Sequence, residues 1–166
     1  MDTLAGNAIV CRGAWVLSAT TDCFRCGANT PVFSILMAGP FALHGEPDLA
    51  VQPDDGGMLT VTMSGPLPVT AHAALDSHSQ GRFRLDLSHT SDLSYWMNHC
   101  AACDAKLGDS YLKRLGEAFF PLDAEGFAGV SGSYIEGPLT FAEPCCGHNG
   151  ALAQWVRERK QENFDE

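Results

Sequence analysis

Basic residues are scarce in this chain of 166 residues. Ten lysines and arginines stand against twenty aspartates and glutamates, so the formal charge is −10 at pH 7. This balance repels phosphate groups, and direct binding of nucleic acid is therefore not expected. Long apolar runs are also missing from the sequence. No stretch reaches the roughly 18 apolar residues that a membrane helix needs, so we expect no membrane span.

The first residues, MDTLAGNAIVCRGAW, lack the basic and apolar regions of a signal peptide. The cytoplasm is therefore the expected location. Seven cysteines in a reducing compartment are better explained as metal ligands and buried thiols than as disulfides. The length and the 45% share of hydrophobic residues predict a single domain over residues 1–166.

Short apolar runs with β-prone residues predict a mainly β protein of the α+β class. Residues 7–38 read as strand, turn and strand, and residues 92–120 read as a second version of this unit, with DLSYWM and SYLKRL as its strands. Between them, residues 39–91 combine a Gly- and Pro-rich loop with the alternating runs MLTVTM and RFRLDL, which predicts a β insertion. Near-helical apolar spacing predicts a C-terminal helix over residues 147–162.

Two Cys-x-x-Cys pairs are the main chemical signal. Cys23 and Cys26 form the first pair, and Cys100 and Cys103 form the second. Four thiolates on two tight turns are the ligand set of a structural zinc, so we predict a zinc-ribbon-like pair of knuckles. Iron would use the same ligands, and independent buried or redox-active cysteines are the alternative. Since the usual interval between such pairs is about 15–20 residues, the longer segment here predicts an insertion that leaves the knuckles adjacent.

The segments around these cysteines also resemble a known pattern. CFRCGANTPVFSIL and SYWMNHCAACDAKLGDSYL are similar to the paired CxxCG…TPV and YWMNHCxxC segments of uncharacterised bacterial zinc-ribbon-like proteins. The resemblance implies that Cys23, Cys26, Cys100 and Cys103 are the metal ligands, and it implies no activity. Asp104 stands where those proteins have glycine.

Other cysteines and histidines have simpler interpretations. Cys145 and Cys146 precede His148, but adjacent cysteine side chains diverge, so buried thiols are favoured over a second metal site. Cys11 lies in an apolar strand and is expected in the core. His99, beside Cys100, is expected to be structural, although replacement of a cysteine ligand is the alternative. Three further histidines are predicted to lie in a polar surface loop around AHAALDSHSQ: His72, His78 and His89.

Three aromatic residues flank the knuckles: Trp15, Tyr95 and Trp96. Such residues can stack on nucleic-acid bases, but that function usually comes with interleaved basic residues. Only Arg25 and Lys106 lie near the knuckles. Packing in the core is therefore the favoured interpretation.

The sequence contains no phosphate-binding glycine loop, HExxH or GxSxG motif, so nothing positive indicates an enzyme. We expect a non-catalytic, zinc-stabilised acidic module that binds a protein partner with a basic surface. One alternative is an inhibitor that occupies the nucleic-acid groove of a defence or transcription complex, as anti-CRISPR proteins do. Another is a zinc ribbon that binds nucleic acid directly.

Overall fold

The computed structural model describes residues 8–43, 46–51, 58–113, 116–120, 122, 125–142, 144–147 and 158. Strands dominate these residues, and the mainly β, α+β class is confirmed. The strands are β1 (Ile9–Asp22), β2 (Asn29–Leu43), β3 (Glu46–Val51), β4 (Met58–Met63), β5 (Phe83–Ser88), β6 (Leu93–His99), β7 (Lys106–Leu107), β8 (Ser131–Phe141) and β9 (Pro144–Gly147). The helices are α1 (Val69–Ser79), α2 (Asp109–Leu112) and a 3-10 helix (Glu125–Gly129).

Within the described part of the chain, the larger sheet has six antiparallel strands. Its order is β8-β1-β2-β4-β9, and β3 pairs with the end of β2. The long hairpin of β1 and β2 forms its centre, and Asp22 pairs with Asn29 at the last position before the turn. The turn of this hairpin is the first Cys-x-x-Cys knuckle, so the knuckle is held at the end of the two central strands.

Both faces of this hairpin are buried. On one face, Leu17 and Leu36 pack in a cluster with Leu107, Phe119 and Phe127, which lie in the segments after the second knuckle. This cluster also contains Cys23 and Cys100. The hydrophobic core therefore extends to the cysteines themselves.

The opposite face of the hairpin packs against helix α1. Val16 and Ile35 share a cluster with Leu75 of α1, Phe83 of β5 and Phe141 of β8. The near-continuous apolar character of β1 and β2 in the sequence follows from this arrangement, since a strand covered on both faces needs apolar residues at both parities.

The smaller sheet has the order β5-β6-β7 and is joined to the larger one by a buried side chain. Asn98 of β6 accepts a hydrogen bond from the N–H of Phe33 at 2.7 Å and donates one to the carbonyl of Phe33 at 2.9 Å. Its amide thus takes the place of a neighbouring strand at this position of β2. The contact fixes β6, and with it the second knuckle, against the central hairpin.

The structure confirms the predicted strands of three segments and contradicts the predicted loop of a fourth. The strand-turn-strand unit of residues 7–38 is confirmed by β1 and β2, and the strands predicted from MLTVTM and RFRLDL are confirmed as β4 and β5. The surface loop predicted around AHAALDSHSQ is wrong, because these residues form most of helix α1. Ala71, Leu75 and Ser79 recur every fourth residue and are buried, so a helix places all three on the core.

The strand predicted from SYLKRL is also wrong. Its first three residues lie in the short helix α2, which ends at Leu112 and buries that side chain against the core. The adjacent apolar residues Tyr111 and Leu112 are too few to distinguish a strand from one helical turn. The helical turn is the conformation that buries the Leu112 side chain.

The predicted C-terminal helix lies almost wholly outside the described residues. Gly147, its expected first residue, belongs to strand β9, and Glu158 is described in helical conformation. Cys145 and Cys146 lie on β9, paired with Thr62 and Val61 of β4. Among the residues that the structure describes, no helix has the length and apolar character needed to cross a membrane.

Candidate metal centre

The first knuckle is a tight turn closed by backbone hydrogen bonds. The N–H of Cys23 donates to the carbonyl of Ala28 at 2.9 Å, and the N–H of Gly27 donates to the carbonyl of Cys23 at 2.8 Å. The N–H of Arg25 points at the sulfur of Cys23, 3.4 Å away. Gly27 has φ +72°, a conformation that glycine adopts without steric cost.

The second knuckle repeats this pattern residue for residue. The N–H of Cys100 donates to the carbonyl of Ala105 at 2.9 Å, and the N–H of Asp104 donates to the carbonyl of Cys100 at 3.0 Å. The N–H of Ala102 points at the sulfur of Cys100, again 3.4 Å away. Asp104 takes the place of Gly27, with φ +57°, and its carboxylate is held by Arg84 at 2.8 Å. The two knuckles are therefore copies of one local structure.

The fold brings the four predicted cysteines together. The Sγ atoms of Cys23, Cys26, Cys100 and Cys103 all lie within 4.8 Å of one another. Two of the cross-knuckle distances, Cys23 to Cys103 and Cys26 to Cys100, are 3.7 Å. The cluster can hold a metal ion, and each knuckle contributes half of the ligands.

The spacing fits a tetrahedral thiolate site. Four sulfurs placed about 2.3 Å from a central zinc lie about 3.8 Å apart along each edge of the tetrahedron. The two 3.7 Å distances match that edge, and the remaining ones lie within 4.8 Å.

The surroundings of the sulfurs shift the pKa values of Cys100 and Cys103 in opposite directions. Hydrogen bonds from the N–H groups of Cys103 and Ala102 lower the pKa of Cys100 to about 6, against the effect of burial. For Cys103, the N–H of Ala105 acts in the same direction. Burial and the neighbouring thiols Cys26, Cys100 and Cys23 outweigh it and raise the pKa of Cys103 to about 12. Four adjacent thiols thus resist full ionisation, and a bound dication would remove this repulsion.

Two contacts outside the cysteines position the knuckles against each other. The buried hydroxyl of Thr30, one residue into β2, accepts a hydrogen bond from the N–H of Ala101 at 2.9 Å. Tyr111 of α2 donates from its hydroxyl to the carbonyl of Asp22 at 2.7 Å. Both contacts span the two halves of the site, so the protein fold itself brings the knuckles together. No sequence pattern indicates Thr30 or Tyr111 in this role.

His99 is structural, as the sequence predicts. Although it precedes Cys100, its Nε2 faces Asp86 at 3.0 Å and its Nδ1 faces the carbonyl of Arg82 at 3.2 Å. Both nitrogens are therefore engaged away from the sulfur cluster. The hydrogen bonds from His99 and Lys106 hold the pKa of Asp86 well below its usual range. This hydrogen-bond network connects β5, β6 and β7 beside the second knuckle.

The aromatic residues near the knuckles divide into two groups. Trp15 packs in the cluster that contains Cys23 and Cys100. Trp96 packs against the opposite cluster and donates from its indole to the carbonyl of Gly65 at 3.0 Å. Core packing is confirmed for these two. Tyr95 instead lines a surface groove, which the sequence did not indicate.

Among the cysteines and histidines whose side chains the structure describes, the other candidates lie outside the cluster. Cys11 is buried on β1, as predicted, and its thiol donates to the carbonyl of Gly13. His72 lies on α1 and its ring meets Trp96 edge-on at 5.3 Å, while His78 lies on the same helix beside the carbonyl of Ala74. His89 is exposed in the turn after β5.

The positive φ at Gly27 gives a prediction. A Cβ at this position would meet no atom within 4 Å, so substitution is limited by backbone strain alone. We expect Gly27→Val to lower the free energy of unfolding by about 1–2 kcal/mol in urea denaturation of the metal-loaded protein. Gly27→Asn is the matched control and should cost less, because asparagine tolerates this region. Equal losses in the two variants would contradict the explanation.

No protein-family model, no curated protein and no solved structure matches this chain. Comparison with known proteins therefore identifies no relative. The four-cysteine cluster and its two matching knuckles are therefore the features that indicate a function.

Proposed function

We propose that this chain is a non-catalytic protein-interaction module stabilised by a structural zinc ion. The observation that carries the proposal is the convergence of four sulfurs within 4.8 Å on two knuckles of matching geometry. A closed set of four protein ligands leaves no open position for a substrate, which is typical of structural zinc and not of catalytic zinc.

The identity of the metal is tested by elemental analysis. Protein expressed without added metal, purified without chelator and measured by inductively coupled plasma mass spectrometry is expected to contain one zinc per chain. Stoichiometric iron, with the absorption of an iron–thiolate centre, would overturn zinc in favour of a rubredoxin-like site. Protein that is folded and contains no metal would overturn the structural role altogether.

The proposed partner is a protein with a basic surface. The chain carries a formal charge of −10, and a zinc bound by four thiolates adds about two negative charges. Complementary charge accelerates encounter and selects against acidic partners. Affinity purification with the tagged chain should therefore release basic proteins as salt is raised, because screening shortens the range of these attractions. Retention that is independent of salt would count against an electrostatic interface.

A further inference from the structure

The sulfur atoms of the cluster face one another in pairs that span the two knuckles. Cys23 Sγ lies 3.7 Å from Cys103 Sγ, and Cys26 Sγ lies 3.7 Å from Cys100 Sγ. Two sulfurs at this distance are near van der Waals contact. Since a disulfide bond is about 2.05 Å long, each pair is about 1.7 Å short of one. The fold therefore presents two pairs of thiols that can react across the site.

Each pair consists of an outer and an inner sulfur. Cys26 is exposed and Cys103 is partly exposed, whereas their partners Cys100 and Cys23 are each only 2% exposed. An oxidant in the solvent therefore reaches the outer sulfur first, and the inner sulfur lies directly behind it. An accessible cysteine with a second cysteine beside it is the arrangement in which oxidation ends in a disulfide.

Contacts that do not involve sulfur hold the two knuckles face to face. The N–H of Ala101 in the second knuckle donates to the hydroxyl of Thr30 at 2.9 Å. The hydroxyl of Tyr111 donates to the carbonyl of Asp22, the residue before the first knuckle, at 2.7 Å. Reaction within each pair is therefore intramolecular between positioned groups, which favours it over reaction with a thiol from solution.

We infer that the cluster is a site of reversible oxidation, at which hydrogen peroxide forms the disulfides Cys23–Cys103 and Cys26–Cys100. In each pair the outer sulfur attacks one peroxide oxygen, the O–O bond breaks, and a sulfenic acid and one water result. The inner sulfur then attacks the sulfenic sulfur, the S–S bond forms, and the second oxygen leaves as water. Two thiols thus lose two electrons, one peroxide gains them, and both thiol protons end in water.

The pairing across the knuckles decides what oxidation does to the fold. The two bonds join residues that are 80 and 74 positions apart, so they connect the knuckles covalently. Bonds within each Cys-x-x-Cys pair would close only short loops, which restrict the unfolded chain far less. The oxidised chain should therefore stay folded without metal. Release of zinc on oxidation rests on the proposed function, because the metal binds thiolates, whereas the pairing of the sulfurs does not rest on it.

The test maps the disulfides of the full chain after treatment with hydrogen peroxide. Remaining thiols are alkylated, and the chain is digested with trypsin and analysed by mass spectrometry. Trypsin cuts after Arg25 and so separates the cysteines of the first pair, whereas the second pair stays in one peptide. The proposed pairing yields one assembly of three peptides. Fragmentation between the cysteines of the second pair should link Cys103 to Cys23 and Cys100 to Cys26.

Other disulfide maps would overturn the proposed pairing. A bond between Cys23 and Cys26 would join the two peptides of the first pair and leave the peptide of the second pair unlinked. The same assembly of three peptides with Cys100 linked to Cys23, or a mixture of all pairings, would show that the 3.7 Å contacts do not direct the reaction. Survival of all the thiols in excess peroxide would show that the site does not oxidise.

Cys26→Ser gives a second reading of the pairing. This variant should form the Cys23–Cys103 disulfide and keep a free thiol at Cys100, whereas pairing within the knuckles would leave Cys23 free. Cys11→Ala is the matched control, because Cys11 is buried and lies outside the cluster. It should give the disulfide map of the unaltered chain. That map decides the question by itself if Cys26→Ser does not fold.

Two measurements separate this oxidation from the proposed function. The oxidised chain should keep its near-ultraviolet circular dichroism spectrum in the presence of a chelator and lose it when dithiothreitol is added. Unfolding of the oxidised chain would show that the disulfides do not take the place of the metal. A chromogenic chelator should detect one zinc released for every two disulfides formed. The two cross-knuckle bonds in a chain that purifies without zinc would refute the zinc assignment and retain the oxidation site, and zinc with a different disulfide map would do the reverse.

Discussion

The Cys100→Ser/Cys103→Ser double variant is expected to purify without zinc and to be unfolded at room temperature. Structural zinc contributes about 10–16 kcal/mol of apparent binding free energy in zinc-finger peptides, which is as large as the whole stability of a typical domain. Cys23 and Cys100 are also buried in the core cluster, so the variant places a serine hydroxyl in the core and removes the ion that would join the two knuckles. Metal content and the near-ultraviolet circular dichroism spectrum measure the two effects.

Cys11→Ala is the matched control for this variant. Cys11 is a buried cysteine on β1 that lies outside the sulfur cluster. Removal of this thiol should lower the free energy of unfolding, because a small buried group is lost. It should leave the zinc content unchanged. Chelation of the unaltered protein at neutral pH should reproduce the double variant. An unaltered melting temperature in the double variant would show that the knuckles hold together without metal.

Asn98→Ala is expected to give the second-largest loss, about 2–6 kcal/mol in the free energy of unfolding, measured by urea denaturation. The side chain is 1% exposed and makes two hydrogen bonds to the backbone of Phe33, which is itself buried. Strand β4 pairs with β2 only over residues 35–38, so it does not cover Phe33. Alanine would leave a buried N–H and a buried carbonyl without partners, at about 1–3 kcal/mol each.

Two further substitutions test the origin of this loss. Asn29→Ala removes an exposed asparagine that donates to Asp22 at 3.2 Å, and it should change stability by about 0.5 kcal/mol or less. Asn98→Asp keeps an acceptor for the N–H of Phe33 but places an oxygen against the carbonyl of Phe33. It should therefore also destabilise the protein. If Asn98→Ala were as mild as Asn29→Ala, the amide would not be the link between the two sheets.

Local signals were enough to predict parts of the fold and the site. The Cys-x-x-Cys spacing, with Gly27 and Asp104 after the second cysteine of each pair, identified both knuckles, because this turn is closed by hydrogen bonds within six residues. The apolar runs of β1 and β2 identified the central hairpin. Helix α1 was missed because its polar residues His72, Asp76 and Ser77 obscure a buried face of three residues, of which only Leu75 is a large apolar side chain.

The sequence by itself determined the ligand chemistry, the acidic charge and the mainly β class, since these depend on residue types and on contacts between near neighbours in the chain. Only the tertiary structure decided that the four sulfurs meet within 4.8 Å, that Asn98 joins the sheets and that Phe24 and Tyr95 line one groove. These relations join residues from distant parts of the chain, such as Phe33 with Asn98. No local pattern encodes them, because the packing of the whole core sets the distance between such residues.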